Sequence, residues 1–182
     1  MNTILRVVAL LALTVSTAFG GNLDLEKSVL KWKGSKGAAG FKLGSHYGKI
    51  KLIEGDIKQK NGNLIGGDFT VDMNNFTVED LSGSWAKKFI GHMKSSDFFP
   101  VDKHPTSKLR IKSVKGDKVL AHLTINGVTK TVDFKYKKVG NSFVGKLIFD
   151  RTKFNMLYGK DSSLGDKFIH HDVELDFSIT AK

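Results

Sequence analysis

Val119-Leu120-Ala121-His122-Leu123-Thr124-Ile125-Asn126-Gly127-Val128-Thr129-Lys130-Thr131-Val132-Asp133-Phe134-Lys135-Tyr136 decides the fold class. Apolar residues fall at 119, 121, 123 and 125, the period of a half-buried strand. Asn126-Gly127 is the strongest short hairpin signal, because both residues tolerate the positive φ of a tight turn. On the return, Val132, Phe134 and Tyr136 share one face while Thr131, Asp133, Lys135 and Lys137 take the other. Gly140-Asn141 turns the chain again, and Phe143, Leu147 and Phe149 continue the pattern.

The same period recurs outward in both directions. Val173, Leu175, Phe177, Ile179 and Ala181 alternate with Glu174, Asp176, Ser178 and Thr180. Upstream, the apolar positions are Leu30 and Trp32, then Ile50 and Leu52, then Phe69, Val71 and Met73, then Leu109 and Ile111. Asn61-Gly62 and Gly66-Gly67 read as turn or bulge signals between them. About eight strands joined by short connections make an antiparallel meander, and closing it into a barrel removes its exposed edges. A barrel of that size either fills with its own side chains or holds one small ligand. The interruption is Ser84 to Lys94, where Trp85, Phe89, His92 and Met93 fall on one side at helical spacing. This predicts a single amphipathic helix on the mouth or flank of the barrel, with Glu79 and Asp80 placed to complement its N-terminal dipole.

Composition bounds what this barrel does. A chain of 182 residues with 40% hydrophobic content suits one domain, and 19 glycines against 2 prolines suit one that turns often. With no cysteine there is no disulfide scaffold, thiolate metal site or cysteine nucleophile. Of the 29 basic residues behind the net charge of +11, only Arg6, Arg110 and Arg151 are arginine. Phosphate and base recognition favours the planar guanidinium, so a diffuse lysine coat argues for solubility and attraction to anionic headgroups rather than nucleic-acid reading. Asn2 to Arg6 is a short basic start, Val7 to Val15 an apolar run, and Ala18-Phe19-Gly20 a small-x-small cleavage site. The apolar run is about half the length a bilayer requires, so residues 1–20 read as a signal peptide and residues 21–182 as the domain, exported to the periplasm or secreted.

Three segments carry a resemblance. Gly91-His92-Met93-Lys94-Ser95-Ser96-Asp97-Phe98-Phe99 with Lys103-His104-Pro105-Thr106 resembles the "H-L-x-S-x-D-F-F … K-x-P" signature of the YceI-like domain family. Leu123 to Lys130 is similar to that family's "L-T-x-x-G-V-T-K" hairpin, and Asp150-Arg151 to its "D-R" step. Trp32, Ser45-His46-Tyr47-Gly48 and Gly67 through Met73 resemble its opening strands, so the likeness covers roughly residues 28–180. The resemblance implies a lipocalin-like antiparallel β-barrel, usually exported, whose apolar interior holds a polyisoprenoid or related long-chain lipid. The chain departs from the family at Ala121, at Leu109 and in a longer Ser35 to Gly44 connection, which bear on the width and mouth of the pocket.

Inward-facing aromatics would line a lipid tunnel, and a mobile helix beside the mouth could gate it. The ligand-binding candidates are therefore Phe41, His46, Phe69, Trp85, Phe89, His92, Met93, Phe98, Phe134, Phe149 and Phe177. No residue is assigned a catalytic role: Gly-x-Ser-x-Gly is absent and no paired carboxylates stand out. No metal or cofactor is assigned either, since adjacent His170 and His171 would point to opposite faces of a strand. Asp150-Arg151 reads as a salt bridge on the rim. The expected partners are a polyisoprenoid or other long-chain lipid and, transiently, a membrane surface, with no nucleic acid and with room for a homodimer. The competing readings are an isoprenoid-acting enzyme, which needs a buried polar pair around His46, His92 or His122, and a basic envelope-binding protein with a solid core.

Overall fold

The computed structural model describes residues 22–38, 41–161, 163 and 168–182; the expected signal segment lies outside them. Eight strands run β1 (Leu23–Lys36), β2 (Gly44–Lys60), β3 (Asn63–Phe76), β4 (Thr106–Lys115), β5 (Lys118–Ile125), β6 (Val128–Val139), β7 (Ser142–Asp150) and β8 (Ile169–Ala181). One helix, α1 (Gly83–Met93), lies between β3 and β4, and a 3-10 turn, Arg151–Phe154, follows β7. Each strand pairs antiparallel with the next, and β8 returns to β1 with Trp32 opposite Leu175, closing the barrel. Among the described residues no strand edge of the barrel is left open.

Local chemistry explains the corners. Asn61-Gly62 and Asn126-Gly127 both take positive φ, joining β2 to β3 and β5 to β6. Opposite Lys58 and Gln59 the register slips by one residue, so the partners are Gly66 and Leu64 and the glycine pair marks a bulge. Inward positions pack into two apolar clusters. One, around Leu52, Ile57, Leu64, Phe143 and Ile179, fills the end that holds the β2–β3, β4–β5 and β6–β7 turns. The other, around Phe98, Ile125, Phe149, Phe154 and Met156, lies at the opposite end, where α1 and the longer connections sit. The second end is called the mouth below.

The helix expected over Ser84 to Lys94 is present over Gly83–Met93. None of its residues is buried, and Phe89 stacks on Trp32 at 6.1 Å with 6° between the planes. The expected dipole role of Glu79 and Asp80 is corrected: the first turn of α1 carries no acid and its N-cap, Ser82, makes no side-chain hydrogen bond. Both acids instead hold the 77–80 segment along β2. The Tyr47 N–H donates to Asp80 Oδ1 at 3.0 Å, the Glu79 N–H to the Tyr47 carbonyl at 2.8 Å, and the Thr77 N–H to the Lys49 carbonyl at 2.8 Å. These hydrogen bonds, two between main chains and one to the Asp80 carboxylate, place α1 over the mouth rather than any pairing of the acids with the helix dipole.

Gly48 makes that close approach possible. A Cβ built there would stand 1.9 Å from the Thr77 carbonyl oxygen, which also accepts the Trp32 indole N–H at 3.0 Å. Gly48→Ala must push the 77–80 segment off the barrel. The expected result is a loss of about 1–3 kcal/mol in urea unfolding together with a shift in tryptophan emission, because Trp32 loses its acceptor. An unchanged emission spectrum and midpoint would show that the segment moves freely.

Candidate functional site

The barrel is hollow. A cavity of about 330 Å³ lies at the mouth, within the size range of ligand sites, and a smaller one of about 100 Å³ lies deeper. Val71, Ser107, Leu123 and Leu175 line both, so the two are successive chambers of one lumen that meet at this ring. The deep chamber is walled mostly by aliphatic and aromatic side chains, including Leu52, Phe69, Phe134 and Phe177, which the alternation assigned inward, and Ile57, which a register shift in β2 between Leu52 and Glu54 turns inward out of that phase. Exposed Lys36, His92 and Tyr158 are among the walls of the outer chamber, which therefore reaches solvent at the mouth.

Most polar groups of the lumen gather at that outer rim. His46 Nδ1 lies 2.7 Å from Asp80 Oδ2, and the imidazole is packed against Phe89, 4.7 Å between centroids. Burial pushes the Asp80 carboxyl up, yet the Tyr47 N–H and His46 outweigh it and hold the group below the usual carboxylate value. His92 Nε2 lies 3.0 Å from Asp97 Oδ2, with Tyr158 and Phe98 edge-on to its ring. Both histidines anchor parts of the mouth: one ties the 77–80 segment, the other the end of α1 to the loop after it. Because folded Asp80 titrates below its unfolded value of ~3.9, the stability it lends is full above that pH and is lost as pH falls through the lowered folded pKa. Asp80→Asn is expected to lower the urea midpoint near neutral pH and to flatten the decline between about pH 5 and pH 2. Parallel pH profiles of the two proteins would show that Asp80 lends nothing.

Arg151 overturns the rim salt bridge read from Asp150-Arg151. Its side chain is only 2% exposed, and its Nε, Nη1 and Nη2 donate to the carbonyls of His170, Met156 and Ile169 at 3.1, 2.5 and 2.8 Å. Asp150 turns the other way and accepts the backbone N–H and hydroxyl of Thr152 at 2.9 and 2.6 Å. Burial pushes the guanidinium below its ordinary value while Asp150 opposes that shift, and an arginine keeps its charge at neutral pH. The cation thus pins the connection between β7 and β8 to the wall of the outer chamber.

The comparisons with known proteins fit this geometry. The YceI-like domain family model matches residues 22–181. This chain belongs to the YceI-like family. It is 30% identical over 138 residues to a UPF0312 protein of Pseudomonas putida, covering 71% of each chain. A UPF0312 protein of Pseudomonas aeruginosa is 32% identical over 98 residues, 52% of this chain and 49% of the relative, so the match spans about half the length of that relative. Among solved structures, Burkholderia cenocepacia BcnA superposes with a TM-score of 0.65 at 20% identity, covering 88% of this chain and 99% of its own. The Campylobacter jejuni YCEI protein superposes at 0.50 with 17% identity, covering 73% and 81%. At such identities the likeness carries the fold. Family and barrel together suggest a binding protein rather than an enzyme.

Nine of the sequence candidates line this YceI-like lumen. His46, Phe89, His92, Met93, Phe98 and Phe149 face the outer chamber, and Phe69, Phe134 and Phe177 the deep one. Two do not. Phe41 is 71% exposed and Trp85 70% exposed, and neither touches a chamber. Trp85 belongs to the apolar stripe of α1, but the helix meets the barrel only along its Phe89–Met93 side. Lining residues that sequence reasoning did not single out include Trp32, Phe76, Met156, Arg151, Tyr158 and Ser107. Ser107 had a readable signal, a polar residue in phase with inward Leu109 and Ile111. His122 faces outward between buried Ala121 and Leu123, so it offers the enzyme reading nothing.

Proposed function

We propose that the protein is an exported carrier that sequesters a polyisoprenoid or similar long-chain amphiphile in its lumen. The observation that carries this reading is the pair of adjoining chambers, lined mostly by apolar side chains, in a family barrel that a solid-core protein would have filled. The signal-like residues 1–20 support export. A tail of roughly 40 carbons would gain about 30 kcal/mol on leaving water, beyond the ~20 kcal/mol ceiling of non-covalent binding, so the relevant donor and acceptor is a bilayer. Exchange then needs the mouth to reach the membrane. Phe41, Leu43, Trp85, Leu157 and Tyr158 are exposed on the connections at the mouth, and Lys42, Lys88, Lys153 and Lys160 stand among them. Apolar side chains for the headgroup boundary and cations for anionic lipid are what such a contact uses. This gives Phe41 and Trp85 a role outside the lumen.

The test is mass spectrometry of an organic extract of the purified protein. A long-chain lipid at near-stoichiometric amount supports the proposal. Protein that retains none, and takes up none from labelled vesicles, overturns it.

A further inference from the structure

Where β1 reaches the mouth, its inward positions change character. Leu30 and Trp32 are followed on that face by Gly34 and Lys36, and across the strand pair Gly34 stands opposite His46 and Lys36 opposite Gly44. A Cβ built on Gly34 meets nothing within 4 Å among the described residues, so the glycine leaves a gap in the wall where its neighbours carry side chains. That gap opens on the outer chamber, whose walls include Gly34, Lys36 and His46. The charge around it has one sign. Lys36, His46, His92, Arg151 and His170 all line the outer chamber, and among the described residues no Asp or Glu does. The carboxylates of the mouth are taken by protein partners, Asp80 by His46 and Asp97 by His92. Arg151 is sealed behind main-chain carbonyls and acts there only through its field, whereas Lys36 is exposed.

We infer that the gap over Gly34 is a headgroup site, and that the preferred ligand of the lumen is an anionic amphiphile whose carboxylate or phosphate pairs with the Lys36 ammonium. This rests on the carrier reading above and deepens it. A chain that fills the mouth strips water from Lys36. An uncharged head gives little in return, whereas an anion gives a short, charge-assisted hydrogen bond. Gly34 supplies the room, since a larger residue at that inward position would keep the head away from the strand between Lys36 and His46. Asp80 occupies Nδ1 of His46, which leaves Nε2 as the ring nitrogen that can meet the head. From Gly34 the inward face of β1 continues through Trp32 to Leu30, which lines the deep chamber, so a tail attached to this head is led inward along it.

The probes are decanoic acid, decyl phosphate and decanol, titrated calorimetrically near neutral pH into the delipidated full domain and into Gly34→Val, Lys36→Gln and Lys33→Gln. Lys33 lies on the same strand between two inward positions and is exposed outside the barrel, so Lys33→Gln removes the same charge without touching the chamber. Valine favours strands and would occupy open space, so Gly34→Val is expected to melt no lower than the parent. The parent and Lys33→Gln should bind both anions about tenfold or more tighter than the alcohol. In Lys36→Gln and in Gly34→Val that preference should disappear, while Lys36→Gln binds decanol as the parent does. Inorganic phosphate alone should not displace decyl phosphate. The inference is overturned, with the carrier reading intact, if alcohol and anions bind the parent alike, if the preference survives in Lys36→Gln or Gly34→Val, if Lys33→Gln loses it too, or if inorganic phosphate competes. If none of the three amphiphiles binds the parent, both fall together.

Discussion

Arg151→Met is expected to lower the unfolding free energy by about 4 kcal/mol or more, the largest effect of any single substitution considered for this barrel. Methionine conserves much of the apolar volume, so the loss isolates the hydrogen bonds. Three carbonyls, those of Met156, Ile169 and His170, face the guanidinium and would be left without donors where water has little access. Hydrogen bonds to a charged group contribute about 1.5–3 kcal/mol each, and removing one side of a buried arrangement leaves the other side desolvated. Replacing a whole buried ion pair by apolar residues can be neutral, but here the carbonyls belong to the main chain and stay behind. Arg151→Lys should recover only part of the loss, because a single ammonium cannot span three acceptors arranged around a planar fork. Urea unfolding of the three proteins checks this. A methionine variant within about 1 kcal/mol of the parent would mean that the connection between β7 and β8 finds other donors.

Leu123→Trp is expected to divide the lumen. Leu123 stands in the ring shared by the two chambers, and an indole there occupies the passage between them. The unfolding free energy should fall by no more than about 1–3 kcal/mol, since empty space lies on either side to receive the larger ring. Retention of a chain long enough to enter both chambers should fall at least about a hundredfold, because at ~0.8 kcal/mol per methylene the loss of even a few buried carbons is worth that much. A chain short enough for the outer chamber alone should bind the variant and the parent equally. Chain-length profiles of bound fatty acids provide the measurement. A profile unaffected by the tryptophan would refute a continuous lumen.

Much of the barrel was legible because a strand's period of two is written directly in residue order. Val173 to Ala181 alternates without a break, and so does Val119 to Ile125 before Asn126-Gly127. Eight such segments with short turns leave closure as the economical way to remove edges. The helix was legible from Trp85, Phe89, His92 and Met93 at helical spacing, and the family from segments whose order matched. The same periodicity placed Phe69, Phe134, Phe149 and Phe177 inward, where they line the chambers.

Other features were not legible, for reasons that are physical. Asp80 precedes a helix, which suggests a dipole role, but the Tyr47 N–H and His46 that capture it lie more than thirty residues away in the chain. Asp150 and Arg151 are adjacent and opposite in charge, yet at the end of β7 their side chains diverge, one to cap a 3-10 turn and one to bind carbonyls brought back by β8. Trp85 shares a stripe with Phe89, but a stripe does not say how far along it the helix meets its support.

Residue order by itself determined the eight alternating strands, the helix between β3 and β4 and the family, since each depends on local geometry or on a matched motif, whereas the bulge that turns Ile57 inward depends on how β2 pairs with β3. Tertiary structure alone decided that the interior is hollow and two-chambered, that a ring of Val71, Ser107, Leu123 and Leu175 divides it, and that an arginine is buried at its mouth. Within an unbroken strand a side chain's direction follows from its neighbours in sequence. The space left in front of it depends on how far away the opposite wall stands, and barrel closure sets that distance.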